Sequence, residues 1–177
     1  RHNTPEGHIM QTNQLPAYDM SDSPTGCCPR FNSGIWDDQE LHLKDKLFVK
    51  AETKSAMHIP LNMGRVFERV QKHLEDAKAY DPNGYVVLSD DSSPWKAQHY
   101  FAATQPVPGE DMITLSGDFV TKVFEGPFRD ASKWCDALTE HAREKGHDVK
   151  KIYYFYTTCP KCAKAYGKNY VVGIAQV

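Results

Sequence analysis

Two stretches of this chain repeat the same spacing of prolines, apolar stripes and turn residues, and that repeat constrains the fold more than any other feature. Pro60 and Pro94 lie 34 positions apart, and Pro127 and Pro160 lie 33 apart. Phe48 precedes Pro60 by 12 positions, as Leu115 precedes Pro127 by 12. His58-Ile59-Pro60-Leu61 aligns with Glu125-Gly126-Pro127-Phe128, and Ser93-Pro94-Trp95-Lys96-Ala97 with Cys159-Pro160-Lys161-Cys162-Ala163. Repetition in both spacing and element order marks two copies of one supersecondary unit.

The elements follow from periodicity. Lys46 to Glu52 reads as a strand around Leu47, Phe48 and Val49. After Pro60, Met63, Val66, Phe67, Val70, Leu74 and Ala77 recur at helical spacing, which predicts a helix over 61–79, stopped by the turn Asp81-Pro82-Asn83-Gly84. Short strands are expected at 85–88 and 99–104. The second copy predicts an extended run over 112–124, broken or bulged at Gly117, then a helix over 131–145 with the stripe Ala131, Trp134, Cys135, Leu138 and Ala142. Gly146 is placed to cap it. A strand at 152–157, a loop at 159–168 and a closing β-branched strand at 169–177 complete the copy.

An amphipathic helix buries its stripe on one face of a sheet. The expected fold is therefore α+β: two tandem β-α-β-β repeats forming one antiparallel sheet with both helices on one face. Its opposite face is expected to be bare and concave, a groove for a small molecule. Residues 1–44 read as a polar N-terminal arm that docks through Cys28 to Trp36, with 1–9 an appended segment outside the fold argument. Residues 45–177 read as a single domain with halves at about 45–107 and 111–177.

A length of 177 residues suits one domain. The formal charge of −2 gives no electrostatic reason to expect nucleic acid or a membrane as partner. No apolar run reaches the ~20 residues that a membrane helix needs, and no secretory signal is visible. Five cysteines in an adjacent pair, a singlet and a Cys-x-x-Cys do not form a disulfide framework, so reduced thiols and a cytoplasmic location are expected.

The element order resembles the GyrI-like (SHS2-type) small-molecule-binding domains, chiefly in Lys122-Val123-Phe124-Glu125-Gly126-Pro127-Phe128, which looks like that family's strand ending in a Gly-Pro-aromatic step. The segments Cys27-Cys28-Pro29-Arg30-Phe31 and Cys159 to Tyr170 resemble a little-characterised set of proteins labelled only as hydrolases. The first resemblance implies a small-molecule ligand, and for some relatives hydrolysis of reactive cyclopropane compounds by an acidic residue and aromatics. The DNA-binding helices of the related regulators are absent here.

Glu125, at a strand end between Phe124 and Gly126, is the first candidate acid or base, because partial desolvation raises a carboxyl pKa. In Tyr153 to Tyr156 alternate side chains face opposite sides, so Tyr154 or Tyr156 is expected to line the groove and orient a substrate. Trp36, His58, Trp95, Tyr100 and Tyr170 are candidate ligand-binding groups, with His58 matching Glu125 in the other copy. Cys159-Pro160-Lys161-Cys162 has the spacing of half a zinc site, or of a redox dithiol, and Cys27 and Cys28 are candidates for the other half. No other cofactor is implied. A hydrolase acting on a small apolar or electrophilic compound is the leading expectation. A non-catalytic binder and a zinc protein are the alternatives. Oligomeric state and substrate identity are not written in the sequence.

Overall fold

The structure, a computed structural model, describes residues 11–17, 21–26, 28–158 and 160–177, with the side chains of Phe128, Pro160 and Lys161 left aside. A short helix α1 (Ser33–Trp36) leads into the long strand β1 (Glu40–Ala56) and a two-residue return strand β2 (Ile59–Pro60). Helix α2 (Met63–Asp76), β3 (Val87–Asp90) and β4 (Lys96–Ala102) follow. The second copy runs β5 (Asp111–Glu125), α3 (Ala131–Glu144) and β6 (Lys151–Tyr156), then α4 (Pro160–Tyr166) and β7 (Tyr170–Gln176).

Residue pattern accounts for the long helices. Val66, Val70 and Leu74 bury on one side of α2, and Trp134, Leu138 and Ala142 on one side of α3. Burying one such aliphatic side chain contributes roughly 1.5–3 kcal/mol. Gly146, at φ +82, ends α3 by turning its amide back to the Arg143 carbonyl at 2.9 Å.

The strand order is β2-β1-β4-β3-β6-β7-β5, and β5 also pairs with β1. That last pairing overturns the expected single open sheet with both helices on one face: six antiparallel strands close into a barrel. β1 is long enough to serve two neighbours, its first part on β5 (Leu41 opposite Phe119) and its later part on β4 (Thr53 opposite Ala97). A bulge between Leu43 and Lys46 bends it between the two. Closure removes the unpaired edges that two long outer strands would otherwise present to solvent. The face expected to be an open groove is thus the barrel interior, and side chains fill it. Tyr153 meets Tyr100 at 6.0 Å and Phe119 at 6.4 Å between ring centroids, with Phe48, Leu88, Phe155, Val172 and Ile174 buried in the same cluster. A six-stranded barrel has little interior to spare.

Both long helices pack outside. Phe67 of α2 sits edge-on to Phe101 at 4.9 Å, and Trp134 of α3 stacks on Phe124 at 5.6 Å. The core also reaches back before Asp45, because Leu15, Trp36, Leu41 and Leu43 are buried. Residues 160–166, read from sequence as part of a loop, form α4, and β5 runs unbroken through Gly117.

Candidate functional site

One end of the barrel carries a concavity of about 850 Å³, a size suited to a small molecule. The arm (Asn13 to Ala17), Gly34 and Ile35 of α1, and the turn Asp81, Asn83 and Gly84 wall it, with Gln39, Lys46 and Thr104 contributed by the barrel end. The bulge in β1 sets up this site. Beyond it, Lys46 falls on the inward register with Phe48, at the barrel end that the arm covers rather than on the outer wall. Asn13 pins the arm beside the bulge: its amide donates to the His42 carbonyl at 2.7 Å, and its side chain exchanges two 2.9 Å bonds with the Lys44 backbone.

Electrostatics then single out Lys46. Burial lowers its pKa from the ordinary value, and Asp81 opposes that shift only in part. A lysine held this way releases its proton more readily than one on the surface. The Asp81 carboxylate accepts the Asn83 amide at 2.9 Å and caps the 3-10 turn at Pro82–Gly84. The Gln39 amide donates to Thr121 Oγ1 at 3.0 Å and its side chain donates to the Asp37 carbonyl at 3.1 Å, so this wall is fixed from below. The arrangement can move a proton at Lys46 Nζ and hold a polar ligand group beside Asp81, Asn83 and Thr104.

The residues singled out by sequence lie in several places. Glu125 is exposed at the end of β5, opposite Tyr170. Tyr170 packs on Phe31 at 5.7 Å and lies under the Lys168 ammonium. Tyr154 and Tyr156 face outward beside α3. Burial pushes the Tyr154 phenol up to about 12, and its hydroxyl donates to the Ala131 carbonyl at 3.2 Å. Burial, then Asp91 and Tyr154, raises Tyr156 as well. Trp36 fills the barrel interior against Phe155 at 5.4 Å, and Tyr100, also buried, packs inside against Tyr153. His58 faces Asp91 at 3.6 Å beside the exposed Trp95. The structure therefore pairs Glu125 with Tyr170, Tyr154 with Tyr156, and His58 with Trp95, and Asp91 links the last two pairs, facing His58 and raising the Tyr156 pKa. None of them lines the concavity.

Cys27 and Cys159, half of the expected metal set, lie outside the described residues. Cys28 and Cys162 both lie where the arm docks on α4. Thr25 Oγ1 lies 3.2 Å from Cys162 Sγ and 2.9 Å from the Tyr166 hydroxyl, which donates to the Cys28 carbonyl at 2.5 Å. Among the described residues no group of three or more His, Cys, Asp or Glu side chains is placed to hold a metal ion.

Sequence reasoning passed over Lys46 and Asp81. Lys46 reads as the first residue of an apolar strand and Asp81 as a helix stop. The available signal was a lone cation on the inward register of Lys46-Leu47-Phe48-Val49. A second polar cluster is assembled by the fold: on the outer face under α2, His99 lies 2.7 Å from Ser89 Oγ and 2.8 Å from Thr53 Oγ1, all three closed to solvent. Its inaccessibility makes it part of the packing rather than a nucleophile–base pair.

Fold and site together define a closed six-stranded antiparallel barrel, flanked by helices, with a concavity of mixed polar and apolar lining and a half-buried lysine at one end. The chain belongs to the bacterial hydrolase family, whose model matches residues 18–177. None of the curated proteins compared with it matches the chain. Among the described residues no helix is long and apolar enough to cross a membrane.

Proposed function

We propose that the protein is a hydrolase of small electrophilic compounds and that Lys46, in the concavity at the barrel end, handles the proton. The observation that carries this reading is the placement of Lys46, half-buried on the inward register, in the wall of a ligand-sized concavity beside Asp81; the direction in which burial moves its pKa and membership of a family described as bacterial hydrolases support it. In the neutral form the Lys46 amine accepts a proton from a water molecule as the water oxygen bonds to the electrophilic carbon. The bond to the leaving group breaks, and that group takes the proton back from the ammonium. Thr104 orients the substrate, and Asp81 holds the lysine side chain in place once it is charged.

The test uses p-nitrophenyl acetate and an aryl epoxide as probes. Wild-type protein is expected to turn over one of them, and Lys46→Met to lose about 100-fold or more in kcat with its far-UV spectrum and unfolding midpoint preserved. Because the neutral amine acts as base, the rate should rise with pH, with a midpoint below the 10.5 ordinary for lysine. Equal rates for Lys46→Met and wild type would remove the lysine from the chemistry. Saturable binding of both probes without turnover would mark a binding protein instead.

A further inference from the structure

We infer that the β1–β2 hairpin tip, with Trp95 beside it, is a docking site for an anionic lipid surface. Four large apolar side chains there are open to solvent: Met57 at 75%, Ile59 at 65%, Leu61 at 65% and Trp95 at 63%. They form one projection. Ala56 pairs with Ile59 across a two-residue turn, and the Leu61 amide returns to the Lys54 carbonyl at 2.9 Å. The loop that carries Trp95 is tied to the same ribbon: the His58 amide donates to the Pro94 carbonyl at 2.9 Å, and the Ser55 amide to the Trp95 carbonyl at 2.8 Å.

Charge on this face selects the occupant. With alternate residues on alternate faces, Lys54, Ala56, Ile59 and Leu61 share one side of the ribbon. Lys96 joins them, because it stands directly opposite Lys54 in the β1–β4 ladder. Like charges in that position repel each other, and among the described residues neither lysine makes an ion pair. Two unneutralised ammonium groups behind a rim of Trp, Ile, Leu and Met match the layering of an anionic bilayer, phosphate above and acyl chain below. The net charge of −2 belongs to the whole chain and does not describe this face. Two acidic groups border the patch: Asp91 lies 3.6 Å from His58 Nδ1, and Glu52, which accepts the Gln98 amide at 2.6 Å, keeps its charge, so the two ammonium groups outnumber the one carboxylate that no cation faces.

The turn geometry adds a second, independent argument. Met57 and His58 both adopt positive φ, +51 and +66, the two-residue hairpin conformation that favours Asn-Gly. A bulky thioether is strained there, so nothing about the turn itself calls for methionine at the tip. Insertion into a lipid interface does.

Trp95 reports on the test directly, since Trp36 and Trp134 are buried. The full chain is mixed with vesicles of phosphatidylcholine and phosphatidylglycerol in equal parts, with and without brominated acyl chains. The expected result is a blue shift of tryptophan emission, quenching by the brominated lipid, and co-sedimentation that weakens as salt rises. Trp95→Phe should keep the sedimentation and lose the optical signal. Met57→Asp combined with Ile59→Asp should abolish both, and Lys54→Glu with Lys96→Glu should weaken binding about tenfold or more, without shifting the unfolding midpoint of these exposed positions. No quenching on anionic vesicles overturns the inference. So does a Trp95 shift that depends on protein concentration without lipid, which would mark the tip as a contact between copies of the chain.

Discussion

At the residue scale the fold makes one side chain into a pH-dependent liability. His99 is fully buried between two hydroxyls with the Phe67 ring edge-on at 4.9 Å. Burial lowers its pKa from 6.5 to about 4. Hydrogen bonding does not cause the shift, because Ser89 and Thr53 hydroxyls can accept from an imidazolium as readily as they serve a neutral ring; loss of hydration does. Below pH 6.5 the unfolded chain takes up a proton that the folded chain refuses, so the unfolded state binds more protons and stability falls. The contribution is fully present above about pH 6.5 and is lost as the pH drops toward 4, on the order of 3 kcal/mol in all. Urea unfolding between those limits should show that slope, and His99→Gln should flatten it while lowering stability at pH 8. An unchanged slope in the variant would assign the acid sensitivity elsewhere. A lone histidine in the strand around Tyr100 shows none of this in sequence, since the two hydroxyls come from 10 and 46 residues away.

Elements were the most legible level, because each helix needs only its own stripe to be recognised. Val66, Val70 and Leu74, and likewise Trp134, Leu138 and Ala142, stand at helical spacing and are the residues that bury. Strand ends were less legible: β1 begins at Glu40, not near Lys46, because its early half pairs with β5, a partner some eighty residues distant. What an element packs against is also absent from its own residues, as two glycines illustrate. A Cβ on Gly173 of β7 would lie 2.9 Å from Leu138 Cδ2 and 3.0 Å from Phe124 Cε2, both in the contact between α3 and the barrel. A Cβ on Gly64 in α2 would meet nothing within 4 Å. Gly173→Ala should therefore overpack that contact and cost about 1–3 kcal/mol. Gly64→Ala should add roughly 0.5–1 kcal/mol by restricting the unfolded chain. Thermal melts of the two variants, shifted in opposite directions from wild type, check both at once; a stabilised Gly173→Ala would mean that α3 sits farther from β7 than described.

The whole molecule depends on a closure that local pattern does not encode. Alternation of apolar residues states that one face of each strand is buried, yet an open sheet covered by helices and a barrel filled by its own side chains satisfy that rule equally well. What separates them here is the pairing of β1 with β5 and the plugging of one end by residues that look like a polar arm. The concavity follows from the closure: Lys46 and Asp81 become neighbours of the arm only once the barrel end exists, whereas Glu125, Tyr154 and Tyr156 lie elsewhere on the barrel. The arm is then part of the fold. The Trp36 side chain is fully buried, its carbonyl accepts from Thr121 Oγ1, and Asp37 Oδ1 accepts the Val123 amide at 2.9 Å. A chain shortened to begin at Gln39 loses the buried indole, worth about 3–5 kcal/mol when truncated to alanine, together with Leu15 and the walls of the concavity supplied by Asn13 to Ala17, Gly34 and Ile35. It should unfold at markedly lower urea than the full chain and, if the concavity is the hydrolytic site proposed above, lose turnover of p-nitrophenyl acetate and the aryl epoxide. Trp36→Ala in the full chain separates the two effects: stability should fall by nearly as much, while the concavity keeps its walls and the surviving folded fraction keeps its rate. If the shortened chain instead unfolds at the same midpoint, the barrel end is closed without the arm, and the half-buried state of Lys46 loses its structural cause.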